Sequence, residues 1–147
     1  MTRINSAINV RRLTDEHLLA EHREIKRLPY CLSKAIASGS VKRIPDKFTL
    51  GKGHVLFFLD KMNFVRRRYL QLYAECRDRG MNVEWYYDNF FTFEASYDND
   101  YTPTDKERQL LTERITERIM QSKKKAWHYR GQPITKEQAA SLLTVSK

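Results

Sequence analysis

Between Gly51 and Gly80 the sequence runs GKGHVLFFLDKMNFVRRRYLQLYAECRDRG, and Val55, Phe58, Leu59, Met62, Val65, Tyr69, Leu72 and Cys76 recur at helical spacing. An apolar face that broad predicts a helix of about 25 residues packed against the rest of the core, with Gly80 as its C-terminal cap. The run Arg66-Arg67-Arg68 falls on successive faces of that helix, so at most two of the three can point the same way.

The flanking segments repeat the pattern. Thr14 followed by Asp15 and Glu16 predicts an N-cap with acids in the first turn, where the helix dipole favours them. Leu18, Ile25, Leu28, Leu32 and Ile36 then form one stripe, which Pro29 should kink near Ile25 and Gly39 should end. A third helix begins at a capping box, Thr104 with Glu107, and carries Leu111, Ile115 and Ile119. The intervening WYYDNFFTFEASYDNDY has no clean period and reads as loop with a short strand, packed against the core. In the tail, about residues 133–147, Thr135 and Gln138 predict a short last helix. The expectation is an all-α fold: a single compact domain over residues 1–147, with three main helices and long loops.

Composition narrows the partners. With 41% hydrophobic and 31% charged residues the chain is globular in character, and it has no apolar run of membrane-spanning length. MTRINSAINVRR lacks the apolar middle of a signal peptide, so a cytoplasmic, reducing location is expected. There Cys31 and Cys76 should be buried thiols. The net charge of +9 is uneven: residues 1–80 hold 17 Lys/Arg against 8 Asp/Glu, whereas residues 81–147 hold 10 of each. Seven acids and one Lys fall within residues 81–107. Such a positive field attracts polyanions, which makes nucleic acid the leading partner. An anionic membrane is a poor second, because no amphipathic anchor is evident. A monomer is expected.

Metal and cofactor signatures are absent from the sequence. His17 and His22 are five residues apart and do not share a helical face as a zinc pair would. GKGH is too short for a phosphate-binding loop and reads as the opening of a helix; no nucleophile motif of the GxSxG type occurs. What remains is the charged side of the first helix. Arg23 and Arg27 lie about 40° apart around it, with Glu24 about 60° beyond Arg27. One carboxylate therefore sits beside two guanidiniums at the margin of the buried stripe. It is either a simple intrahelical ion pair on a solvated face or a site.

Three segments occur in order: MTRIN, HLLAEHREIKR, and FTLGKGHVLFFLDKMNFVRRR with AECRDRG. Together they resemble the phage-type pyrimidine-dimer DNA glycosylase/AP lyases of UV repair, the family of phage endonuclease V. The resemblance is close over residues 1–5, 17–27 and 48–80, and weaker but colinear over 100–121. It implies that the nucleophile is the α-amine of Thr2, exposed when the initiator Met is removed. That amine attacks C1′ of a damaged nucleotide, displaces the base and forms an imine, and β-elimination then nicks the strand. An α-amine has a reference pKa near 8, so a useful neutral fraction exists at neutral pH. By the same resemblance Glu24 is the catalytic carboxylate, and Arg3, Arg23 and Arg27 hold phosphates. Arg114 and Arg118 are further DNA contacts, and Trp127, in the aromatic cluster Trp127-His128-Tyr129, lies near the lesion. Damaged double-stranded DNA is the implied partner, with no metal and no cofactor.

There are departures from the family pattern. Lys26 stands where a proline is usual, the C-terminal aromatic cluster is reduced, and residues 84–101, with eight aromatics and five acids, have no counterpart. They leave two alternatives open: a glycosylase of the same fold with altered base or lesion specificity, and a non-catalytic basic DNA-binding protein.

Overall fold

The structure is a computed structural model and describes residues 3–90 and 93–144. In chain order its main elements are α1 (Asp15–Ile25), α2 (Arg27–Ser38), α3 (His54–Phe58), α4 (Met62–Asp78) and α5 (Asp105–Gln121). Strands β1 (Trp127–Tyr129) and β2 (Gln132–Ile134) and helix α6 (Lys136–Thr144) follow. The chain is mostly helical but not all-α, because β1 and β2 pair antiparallel as a hairpin. No described helix is long and apolar enough to cross a membrane.

Where the start and stop signals are local, the elements begin and end as expected. The Thr14 hydroxyl accepts the His17 N–H at 3.1 Å, and Thr104 and Glu107 form the full capping box on α5. Thr135 and Gln138 cap α6 in the same reciprocal way. Gly39 closes α2 in the left-handed region at φ 81°.

Both long helices, however, are divided. The stripe beginning at Leu18 breaks at Lys26 instead of kinking, since Pro29 has no N–H for the Ile25 carbonyl and α2 restarts from Arg27. The helix expected from Gly51 to Gly80 breaks between Phe58 and Met62, where Lys61 leaves helical geometry. Its ammonium donates to Phe57 O and Asp60, both at 2.8 Å. Asn99 donates to Asp60 O at 2.9 Å, so the acidic segment supplies bonds that the helix gives up.

That segment folds as two 3-10 turns, Tyr87–Phe90 and Ala95–Tyr97, and packs on the core as expected. Phe90 is fully buried on Tyr69, and Tyr101 lies edge-on to Phe57, Phe58 and Phe64. It also neutralises the basic run: Arg66 pairs with Asp98 and Arg67 with Asp100. Cys76 is buried, and burial pushes its thiol up to about 11; Cys31 is only half-buried, contrary to expectation.

Arg68, the third member of the run, points inward. Its Nε and Nη2 donate to Glu21 at 2.7 and 3.0 Å, and its Nη1 donates to Ile8 O at 2.6 Å. The two side chains are 3% and 0% exposed. Arg68→Met leaves the Glu21 carboxylate buried without a cation, which costs about 3–5 kcal/mol. Urea denaturation should show that loss; an unchanged midpoint would mean that the pair does not hold α1 to α4.

Candidate functional site

The α1 helix turns His17, Glu21 and Glu24 onto one face, within about 60° of arc. Glu21 is consumed by Arg68. Glu24, one turn further, lies at the edge of the buried stripe with its side chain 19% exposed; Arg27 reaches it at 2.7 Å and Arg23 at 3.8 Å. Those two guanidiniums remain 57% and 64% exposed, free to extend toward solvent. The spacing read from the sequence thus gives a real cluster with two accessible cations.

A second cluster is built from distant parts of the chain. Arg3 is half-buried, its Nε and Nη1 are buried without a hydrogen-bond partner, and Ile4 and Asn5 after it are buried. Burial, together with the neighbouring charges of Arg118 and Arg114, brings Arg3 down to about 10. The charges of three guanidiniums therefore act together where two donors of Arg3 are unsatisfied, which is an anion site in electrostatic terms. The charge of Arg118 also acts on His17, whose imidazole falls to about 4 through burial and the charges of Arg118 and Lys124, despite the opposing fields of Glu16 and Glu21.

The hairpin completes this wall. The His17 ring stacks on Trp127, 5.1 Å between centroids and 6° between planes, and Lys124 Nζ lies 5.2 Å from the Trp127 ring. Trp127 is 6% exposed, with a buried indole N–H that has no partner. Two acids at the start of α1 hold it there. Asp15 accepts the Arg130 and Gly131 N–H groups at 3.0 and 2.9 Å, and Glu16 accepts the His128 N–H at 3.0 Å and lies 2.7 Å from its Nδ1. Burial opposes both carboxylates, yet the Gly131 N–H with Arg79, and His128, hold them below the ordinary range.

Of the residues expected at the site, Arg3, Arg114 and Arg118 form one group and Arg23, Glu24 and Arg27 another. Trp127 joins the first group through His17, whereas Thr2 lies outside the described residues. Sequence reasoning weighed His17 only as half of a zinc pair with His22, although its seven-residue spacing from Glu24 marks one helical face. Among the described residues no group of three or more His, Cys, Asp or Glu is placed to hold a metal ion.

Cations gathered on a helical scaffold beside a partly buried carboxylate define a surface made for a polyanion. Sequence comparison makes it particular: the family model for pyrimidine dimer DNA glycosylase matches residues 1–86. That is more than half of the chain, and the protein belongs to this family of DNA-repair glycosylases. The match includes Thr2, Arg3, His17, Arg23, Glu24 and Arg27 and ends before α5.

Arg118→Ala removes a repulsion from both Arg3 and His17. The free protein should lose no stability, and the His17 pKa should rise from about 4 in an NMR titration. Duplex affinity should fall, with the salt slope shallower by about one. Duplex affinity and salt dependence unchanged from wild type would remove Arg118 from the interface.

Proposed function

We propose that the protein is a bifunctional glycosylase and AP lyase that acts as a monomer on duplex DNA. It excises pyrimidine dimers through an imine with the α-amine of Thr2 and nicks the strand by β-elimination. The observation that carries this reading is the state of Arg3, with unsatisfied buried donors lying in the field of two further arginines. A phosphate on this cluster supplies the missing acceptor and brings the sugar beside it to the residue that precedes Arg3.

The chemistry needs a neutral amine and a carboxylate. Cations next to Thr2 disfavour the ammonium form of its amine. The amine attacks C1′, the C1′–base bond breaks, and loss of a proton from nitrogen with ring opening gives the imine. Removal of a C2′ proton then expels the 3′ phosphate. Glu24 stabilises the cationic sugar and imine and takes up the proton in the elimination. Arg23 and Arg27, paired with Glu24 and exposed, position it while holding flanking phosphates. Reaching C1′ requires kinking the duplex and extruding a nucleotide, a cost that damaged, poorly stacked sites reduce.

Borohydride added to the processed protein and a duplex bearing a cyclobutane dimer or an abasic site should trap a covalent adduct. Protein retaining Met1 should not, and efficient trapping by that form would rule out the Thr2 amine. Glu24→Gln should bind duplex normally while losing lyase activity by about 100-fold or more, the scale of acid–base catalysis. Cleavage of dimer-containing duplex no faster than of undamaged duplex would point instead to another lesion.

A further inference from the structure

The GKGH run has no part in the steps above, yet the structure gives it a definite one. Gly53 sits at φ 94°, and a Cβ there would meet Thr49 Cγ2 at 3.6 Å and Pro45 Cγ at 3.9 Å. The tight turn sends His54 back into the core, where it is 2% exposed and edge-on to Phe48 and Phe58. Each ring nitrogen has one backbone partner. Nδ1 lies 2.8 Å from the Thr49 carbonyl, which can only accept, so Nδ1 carries the proton. Nε2 is then an acceptor, and it takes the Ile4 N–H at 2.9 Å, a buried link between residues 50 apart.

We propose that His54 is a positioning residue for the nucleophile: by accepting the Ile4 N–H it sets where the N-terminal amine can reach. The inference rests on the reading of the Thr2 amine as nucleophile. Thr2 N and Ile4 N are separated by two residues, at most about 7 Å of chain, so a fixed Ile4 N confines the amine to a small volume. The link holds only in the neutral tautomer. Protonated His54 would point an N–H at the Ile4 N–H, two donors face to face, and the bond would be lost. Burial keeps the imidazole below its ordinary pKa; the charge of Arg3, on the segment it anchors, adds to this. The Thr49 carbonyl and Glu21 from α1 act in the opposite sense. The rings of Phe48 and Phe58 contribute no charge. The anchor is thus intact at neutral pH and released on acidification.

The test is single-turnover borohydride trapping of the processed full-length protein on saturating abasic duplex. His54→Phe fills the same space but cannot accept, and its trapping rate should fall about tenfold or more, since ~1 Å of misplacement can cost on the order of 100-fold. Its duplex affinity should stay at the wild-type value. His54→Gln, whose amide can accept from Ile4 and donate to Thr49, should recover part of the rate. A His54→Phe rate equal to wild type, or equal losses in both variants, overturns the inference and leaves the Thr2 reading standing. No trapping by the wild type overturns both. Should His54→Phe fail to fold, hydrogen exchange at the wild-type Ile4 amide decides, followed from neutral pH downward through the titration of the His54 ring as NMR locates it. Protection corrected for intrinsic exchange should fall as the His54 ring protonates, and protection indifferent to that titration overturns the proposal.

Discussion

The site depends on one buried guanidinium. Arg68, on α4, binds the Glu21 carboxylate of α1 with two nitrogens and the Ile8 carbonyl of the N-terminal segment with a third. Three parts of the chain that meet nowhere in sequence are thereby fixed to one planar group. A buried ion pair is a poor source of net stability compared with apolar packing, but it is demanding about direction. By pulling Glu21 inward it sets the rotation of α1 about its own axis. His17 and Glu24, on the same face, are thereby turned to the same side of α1 as Glu21.

A second fastening sets the other wall. Asp15 and Glu16 suit the positive end of the α1 dipole, yet their hydrogen bonds go to the hairpin turn and to His128. Docked in this way, the hairpin holds Trp127 flat against His17. Meanwhile the acidic segment neutralises Arg66 and Arg67, so much of the basic run in α4 is satisfied within the protein. Among the cations left to meet a polyanion are those on the exposed edge of α1, the N-terminal segment and α5. An acidic, aromatic stretch that looks hostile to DNA binding therefore leaves the charge of that surface intact.

What could be read from the sequence was what is local. The caps at Thr14, Thr104 and Thr135 each join residues three apart, and each forms as its residue types dictate. Arg23, Glu24 and Arg27 were legible for the same reason. The break at Lys61 was not, because Asn99 and its neighbours help to make it from almost forty residues away. The hairpin was hidden by its own chemistry: Arg130, not Asn or Asp, takes the positive-φ place before Gly131, and Pro133 sits within a strand. The gathering of Arg3 with Arg114 and Arg118 spans more than a hundred residues and came only from the resemblance. His54 escaped notice because its partner is a backbone N–H, which leaves no trace in residue identity.

On the proposed mechanism, one set of cations serves two demands that conflict. Positive charge near Thr2 keeps the amine neutral and also draws in the phosphates. Each phosphate that pairs with Arg3, Arg114 or Arg118 cancels part of the field acting on the amine, so bound DNA would restore the proton that the free enzyme has shed. The amine needs a source of depression that DNA cannot cancel. Burial is a source of that kind: at the adjoining Arg3, desolvation is the largest cause of the lowered pKa, ahead of both neighbouring arginines. DNA closing over the site removes more water and strengthens that contribution as the Coulombic one fades. On that mechanism the nucleophile depends on the packing of the N-terminal segment, of which the buried Ile4 and its bond to His54 are the fixed part.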